Sequence, residues 1–442
     1  MQNLKDHWLY LIAILTVVIV SRLPFLSDGF GLDNDAWRIA NSGSQWLLTG
    51  EYIASRLPGY PLHEVLSGVL KNSTYAWHNA IAVLHSGMLA IMVFFIAVQK
   101  VSAREAFFIA LAILFIPVVW INSTVNMDYI PATAWVLASI LALLANRPVL
   151  AGIILGIATG FRITSSIYGL AYVFYFRKDL KSLLKAGAAA FGVACLFYSF
   201  PFYQYGWSFF SFTPIKNYPN WDKFLIDTPL QLFGVFELMA FFILALKSFK
   251  KTFKSSLNEL EKVLLTTAML CIALYVYQPI DIDYLIPAVV LLGLFVFLRN
   301  GSYSFILMSV LLVSSLFLRL NQSAYETYKA IGRSSDFVEL VDLKGEFLSF
   351  QKRRTIQMQH LYSIEKQLSN KDGVFITGIL HPKAKYLFKA QNKIILEEIP
   401  NEDTITAHLQ KGRKCYSTSK VLEWLRRSKH IDLTELEISI LE

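Results

Sequence analysis

Apolar runs of roughly 15 to 20 residues recur along this chain, broken by short polar clusters, and each is about long enough to cross a bilayer core as a helix. They fall at roughly 8–26, 77–98, 105–120, 130–145, 149–160, 164–176, 186–202, 229–247, 262–278, 284–298 and 303–319, which predicts about eleven membrane-spanning helices. The runs at 149–160 and 164–176 are short for full crossings, so this pair reads as broken or tilted helices meeting inside the bundle. Beyond about Leu320 the composition turns abruptly charged. There GVFITGIL, KIILEEI and the terminal LEISI read as strands, separated by helix-like stretches such as HPKAKYLFKA and SKVLEWLRRS. The expected architecture is therefore an all-α polytopic membrane domain over residues 1–319, followed by a small soluble α/β domain over 320–442.

Between the first two runs lies a loop of about residues 27–76. Within it Ala36, Ile39, Ala40, Gly43 and Leu47 fall on one helical face, while Arg38, Asn41, Ser42 and Gln45 occupy the other. That pattern predicts an interfacial helix, and Asp33 sits where it would cap the first turn.

Composition agrees with the run pattern. The 442 residues are 55% hydrophobic and only 17% charged, and the mean hydropathy of +0.46 lies outside the range of water-soluble domains. A net charge of +9 does not point to nucleic acid, because the Lys and Arg residues are scattered among turns. If Lys5 is cytoplasmic, alternate turns place Lys100, Arg104, Arg147, Arg177, Lys178, Lys247 and Arg299 on the same side. The opposite turns, 122–128 and 278–283, hold no Lys or Arg, so the first large loop and the tail are expected outside the cell or in the periplasm, with the chain in a bacterial inner membrane. The first run is followed by Ser21-Arg22-Leu23-Pro24, with no small-residue cleavage pattern, and reads as an uncleaved span. Cys195, Cys271 and Cys415 show no paired spacing, so neither a disulfide framework nor a thiolate metal site is expected.

The candidate chemistry gathers in the first loop. Asp33 and Asp35 emerge just after the first run, within reach of lipid head groups, where a carboxylate can take a proton from an acceptor hydroxyl or ligate a divalent cation. Arg56 opens Arg-Leu-Pro-Gly-Tyr-Pro, in which Pro58 and Pro61 stiffen the backbone and Gly59 permits a tight turn. Its guanidinium suits bidentate capture of a phosphate, and snorkelling to ordinary phospholipid is the plainer reading. His63 and Glu64 follow on a short amphipathic stretch, each more often structural than chemical. Arg162, between two short apolar segments, needs a cavity or a partner and is a second phosphate candidate. Asp128, Asp281, Asp283 and Tyr284 sit at span ends; Asp128 reads first as a cap, and as a metal or acceptor ligand in the alternative. From Tyr203 to Trp221 the chain is aromatic-rich, as an interfacial belt is. No phosphate-binding Gly-rich loop and no His-Glu-x-x-His pattern occurs.

An acidic motif just after the first span, an Arg-containing Pro-Gly-Tyr segment about 20 residues on, and many spans followed by a charged tail resemble the GT-C superfamily of membrane glycosyltransferases. The likeness is strongest to bacterial members related to protein mannosyltransferases and aminoarabinose transferases, the family 39 type. GIATGFRITSS around Arg162 and YQPIDIDYLIPAVVLL around Asp283, Tyr284 and Pro287 extend it over roughly residues 1–319. The resemblance implies a catalytic base at Asp33 or Asp35, with a lean to Asp35, since Asp-Asn-Asp stands here in place of the adjacent Asp-Glu of some members. It implies donor-phosphate contacts at Arg56, with Arg162, and substrate contacts drawn from Tyr60, His63, Glu64, Asp128, Asp283 and Tyr284. The implied reaction moves a sugar from a polyprenyl-phosphate carrier to a hydroxyl acceptor not identified by the sequence. No cofactor is required; a divalent metal is possible, held by Asp33, Asp35 and Asp128. The expected partners are the lipid-linked donor and membrane lipids, with no nucleic acid. A transporter or flippase of lipid-linked saccharide is the competing class, and it would place charged or broken segments at the bilayer midplane.

Overall fold

The computed structural model describes residues 7–210, 225, 228–254, 256–279, 281–317, 319–320, 341–342, 345–388, 393–433 and 436–441. Helices α1 (Trp8–Arg22), α4 (Tyr75–Ala97), α5 (Ala103–Leu114), α7 (Tyr129–Leu144), α8 (Pro148–Phe161), α10 (Leu180–Tyr205), α12 (Val235–Lys254), α13 (Glu259–Tyr277), α14 (Ile286–Arg299) and α15 (Ser304–Phe317) build an apolar bundle. Among the described residues, five segments are long and apolar enough to cross a membrane: Trp8–Phe25, Tyr75–Ala97, Leu180–Phe210, Glu259–Tyr277 and Ile282–Arg299. The shorter helices α2 (Asn34–Thr49), α3 (Pro61–Val69), α6 (Pro117–Asn122), α9 (Leu170–Tyr175) and α11 (Thr228–Phe233) fall between them in the chain. Several helix ends carry the expected signals. Ser102 and Glu105 form a capping box at α5, and Asn258 and Glu261 form one at α13. Two of the aromatic-loop residues, Tyr218 and Trp221, lie outside the described residues; Tyr203 and Trp207 are exposed.

Glycine spacing sets the tightest helix crossings. Gly152, Gly156 and Gly160 recur every four residues along one face of α8, and a Cβ at any of them would run into Ala186, Val193 or Phe197 of α10. α2 and α3 cross at Gly43 and Gly68, where a side chain on either would collide with the backbone of the other helix. That crossing pulls α2 away from a purely interfacial position. Ala36, Ile39, Ala40 and Gly43 are buried as the amphipathic pattern predicts, but so are Asn41, Ser42 and Ser44 of the polar side, and Leu47 is exposed, because α2 packs against α3 on one side and against tail residues on another. The segment expected as a span at 164–176 is instead a 3-10 turn, Ile163–Gly169, followed by the six-residue α9.

The tail is built on α16 (Glu346–Leu368) and on strands β3 (Gly373–Ile376), β4 (Ile394–Glu397), β5 (Cys415–Ser417) and β6 (Ile438–Ile440), with β1 (Arg319–Leu320) and β2 (Val341–Asp342) a separate antiparallel pair. The four strands are parallel in the order β4-β3-β5-β6. Phe375 faces a cluster with Ile364, Leu368 and Phe388, while Val374 and Ile376 face another with Ile405, Val421 and Leu425, so alternate residues of β3 bury on opposite faces. α16 and α17 (His381–Leu387) cover the first face; α18 (Glu402–Gln410) and α19 (Ser419–Trp424) cover the second.

The tail is joined to the bundle largely by bonds to main-chain oxygens, together with the Asp28 carboxylate and one ring stack. Arg354 of α16, 1% exposed, donates to the carbonyls of Phe25 (2.7 Å), Asp28 (3.1 Å), Gly29 (2.9 Å) and Thr124 (3.3 Å). Gln351 and Thr355 bind the Asp28 carboxylate at 2.6 and 2.5 Å. Phe347 stacks on Trp120 with ring centroids 3.9 Å apart. Replacing Arg354 with Met is expected to remove hydrogen bonds worth about 1.5–3 kcal/mol apiece when charged, leaving four carbonyls short of a donor. Limited proteolysis should then release the tail faster than in the wild type, and Arg354→Lys should not restore the rate, since an ammonium lacks the planar fork.

Candidate active site

Asp33 and Asp35 are two residues apart and do different things. Asp33 is the N-cap of α2: its Oδ1 accepts the Asp35 N–H at 2.9 Å. Asp35 lies inside the first turn, its side chain 13% exposed, and it is the anion of a three-membered cluster: Arg56 forms an ion pair with it, and Arg38 donates to it at 3.2 Å. Burial pushes the Asp35 carboxyl above the usual carboxylate range, Arg56 pulls it part of the way back, and Asp33 adds to the rise.

Arg56 is held by the rigid Pro-Gly-Tyr run. Its guanidinium carbon lies 4.9 Å from the Tyr60 ring centroid, and its Nε and Nη2 are buried with no hydrogen-bond partner among the described residues. Glu64 fixes the approach to this loop by accepting the Ser55 N–H at 2.8 Å and the Tyr52 hydroxyl at 2.5 Å. Burial raises the Glu64 pKa, against the opposing pull of those two bonds.

Arg162 is a second guanidinium close to the Tyr60 ring. The backbone is extended here (φ −156°, ψ 115°) between the end of α8 and the following 3-10 turn, which is the break that the short apolar runs predicted. Arg162 pairs with the fully buried Asp128 at 2.5 Å and lies 4.2, 4.4 and 5.6 Å from the ring centroids of Tyr129, Tyr284 and Tyr60. Asp128 occupies the N-cap position of α7 yet makes no capping bond, so the expected span-capping role gives way to the ion pair. Tyr129 donates to Asp281 at 2.8 Å, and Asp281 caps the turn that carries Asp283 and Tyr284. The run after α13 therefore folds back onto Arg162.

These groups border a cavity of about 660 Å³ lined by Arg38, Ser55, Arg56, Tyr60, Tyr129, Arg162, Tyr168, Tyr275 and Tyr284, among others. A second cavity of about 660 Å³, walled by apolar residues such as Leu232, Phe233, Ile272, Val289 and Leu292, shares Tyr275 with the first. Tyr60 and Tyr284 thus stand where the sequence placed substrate contacts. His63, Glu64, Asp128 and Asp283 do not line the cavity. His63 and Glu64 are fully buried, His63 is bonded to Asn126 at 3.1 Å, and burial pushes its imidazole down to about 4. Asp128 is turned to Arg162 and lies behind it. Asp35 itself reaches the cavity only through Arg38 and Arg56, which both line it. Among the described residues no group of three His, Cys, Asp or Glu is arranged to hold a metal ion. Asp33 serves a backbone N–H, and Asp35 and Asp128 each face a guanidinium.

The residues that sequence reasoning missed are Arg38 and the tail's Lys383. The first reads as a surface arginine on the polar face of α2. Lys383 is buried and donates to the Leu32 carbonyl at 3.0 Å, immediately before Asp33, and burial lowers its pKa to about 8 while Asp33 opposes the fall.

The Arg162–Asp128 pair makes a direct expectation. Arg162→Met strands a buried carboxylate and should cost about 3–5 kcal/mol, whereas the double change with Asp128→Asn should recover most of it. Thermal unfolding of the purified variants in detergent reads this as a large loss of Tm in the single change and a smaller one in the double.

Residues 59–220 match the model of glycosyltransferase family 87, a span that contains Tyr60, Asp128 and Arg162 and begins after Asp35 and Arg56. Two solved structures share the fold: ArnT from Cupriavidus metallidurans in the apo state, at a TM-score of 0.59 and 14% identity over 93% of this chain and 89% of that one, and the same protein bound to undecaprenyl phosphate, at 0.57 and 13% over 94% and 91%. No functionally curated protein matches the sequence. The matching family model is family 87, not the family 39 type to which the sequence motifs are most alike. The family match spans little more than a third of the chain, and the ArnT structures share its fold; both agree with the resemblance to membrane glycosyltransferases that the motifs carry.

Proposed function

We propose that the chain transfers a sugar from a polyprenyl-phosphate carrier to a hydroxyl acceptor, on the non-cytoplasmic face of a bacterial inner membrane. The observation that carries this is the Asp35–Arg56 ion pair at the edge of a cavity whose other wall holds Arg162. A carboxylate, two guanidiniums and an adjoining apolar chamber are the parts such a reaction needs. The undecaprenyl phosphate complex of the ArnT fold neighbour supports a lipid phosphate as the ligand of this cavity.

In the mechanism, the carrier's phosphate enters between Arg56 and Arg162, and its prenyl chain runs past Tyr275 into the apolar cavity. Arg56 has two guanidinium nitrogens without partners among the described residues to offer, and a phosphate dianion competes for it against Asp35. Drawing Arg56 toward the phosphate uncovers the Asp35 carboxylate. Asp35 then takes the proton of the acceptor hydroxyl as its oxygen bonds to the anomeric carbon. The bond from that carbon to the phosphate oxygen breaks, and the electron pair leaves with the lipid phosphate, whose charge Arg56 and Arg162 hold. Asp33 keeps the first turn of α2 in place without touching substrate, and no step is routed through a metal ion.

The flippase reading has less support. The charged groups sit at one end of the apolar helices, and Asp35 and Arg56 belong to a loop between the first two spans, not to a broken midplane segment.

Label transfer from a synthetic polyprenyl-phosphate sugar by purified protein tests the proposal. Asp35→Asn should lower turnover by about 10²–10⁴-fold. Asp33→Asn keeps an acceptable cap and should stay within roughly tenfold of wild type. If Asp35→Asn transfers normally, Asp35 is not the base. The pH dependence gives a second check. The base works deprotonated, so the rate should fall as pH drops through a pKa above the usual value of about 4 for aspartate. Because Arg56 lowers that pKa, Arg56→Met should move the acid limb to higher pH, besides raising KM for the donor.

A further inference from the structure

Arg56 and Arg162 stand on different segments, yet both guanidiniums lie against one ring, 4.9 and 5.6 Å from the Tyr60 centroid. A phosphate bridged by two arginines needs them a set distance apart, because charge-assisted N–H···O bonds close at about 2.7–2.9 Å and weaken when stretched. Their own anions do not set that distance. Asp35 belongs to α2 and Asp128 to the start of α7, so each ion pair ties its arginine to a different helix.

What joins the two segments is α10. Because α8 stops at Phe161, its last carbonyls need partners from outside the helix. The Tyr198 hydroxyl meets the Thr159 carbonyl at 3.2 Å, three residues before Arg162. The same hydroxyl meets the Gly59 carbonyl at 3.2 Å, three residues after Arg56. Gly59 closes the tight turn that begins at Arg56, its N–H donating to the Arg56 carbonyl at 2.6 Å, so a group fixed to Gly59 is fixed to Arg56 as well. Two turns further along α10, Tyr205 accepts the Ala54 N–H at 2.9 Å and holds the other side of that turn. α10 is itself locked to the end of α8, where a Cβ at Gly160 would run into Phe197. Of the residues of α10 only Ala186, Tyr198 and Pro201 are buried, so this phenol is an inward reach from a helix that is otherwise largely on the surface.

We infer that Tyr198 is a positioning residue for the donor phosphate, setting the spacing between Arg56 and Arg162, an inference that rests on the transfer reading above. Tyr198 does not line the main cavity and touches neither guanidinium. It acts through two carbonyls, one on each arginine's segment. With the hydroxyl removed, the Arg56 turn and the end of α8 lose their shared bond, and each arginine relaxes toward its own carboxylate. A phosphate then engages one guanidinium well and the other poorly. The prenyl chain, set among apolar residues such as Leu232, Phe233 and Ile272, is indifferent to the change.

The test compares the full chain as wild type, Tyr198→Phe and Ser199→Ala in nanodiscs, with two probes: undecaprenyl phosphate, and undecaprenol, which has the same chain without the phosphate. Ser199 bonds within its own helix, to the Leu196 carbonyl at 2.8 Å, and controls for loss of a hydroxyl from this part of α10. Tyr198→Phe should weaken undecaprenyl phosphate by about tenfold and undecaprenol by less than about twofold, while Ser199→Ala should change neither. In label transfer, Tyr198→Phe should raise the donor KM by a similar factor. Equal weakening of both probes would mean that the change loosens the cavity as a whole, and undiminished binding of undecaprenyl phosphate would mean that the spacing is set elsewhere. Either result overturns the proposal. The expected binding pattern without any transfer from a polyprenyl-phosphate sugar would instead sink the reading of the chain as a transferase, so the two failures are told apart.

Discussion

A guanidinium taken into a helical bundle has to be met by an anion and by surfaces that tolerate its charge. Arg162 is met by Asp128 and by the faces of Tyr60, Tyr129 and Tyr284. Those partners come from three places in the chain: the Pro-Gly-Tyr loop, the Asp128-Tyr129 start of α7, and the 3-10 turn before α14. The pair therefore does more than neutralise a charge. It fixes where three separate spans end relative to one another, and the cavity is the space left between them. Arg56, with its own anion Asp35, lies against the same Tyr60 ring, and in the proposed reaction the ligand phosphate is the anion that the two arginines share.

How much of this the sequence made legible depends on whether the cause was local. The break at Arg162 and the capping position of Asp33 follow from run length and from residue type at a helix start, and both were readable. The pairing of Asp128 with Arg162 was not, since it joins residues 34 apart and competes with a local cap that looked equally good. Glu64 and His63 read as candidates because they follow the Pro-Gly-Tyr run. Their environment, entirely buried on α3, is a property of the α2–α3 crossing at Gly43 and Gly68, and nothing in the immediate sequence declares it.

The same division applies to the fold. Strands β3, β4 and β6 stood out as apolar runs, while the three-residue β5, Cys415–Ser417, is too short and too polar to carry a period. The polar face of α2 was assigned to water on amphipathicity alone. In the structure Asn34 and Asn41 are spent on the Ile379 and Pro382 carbonyls, so what looks like a solvated face is the seat of a distant segment. Hydrophobic periodicity reports burial against apolar neighbours and is silent about burial against backbone.

That seat has an evolutionary consequence. The hydrogen bonds that Arg354, Lys383, Asn34 and Asn41 make across the join all end on main-chain oxygens. Every residue type presents such an oxygen, so apart from Asp28, which Gln351 and Thr355 hold by its carboxylate, and the Phe347–Trp120 stack, the accepting side of the join demands no particular side chain. An attachment of this kind lets lineages vary or exchange their tails over an unchanged membrane portion, much as interchangeable heads fit one tool shank.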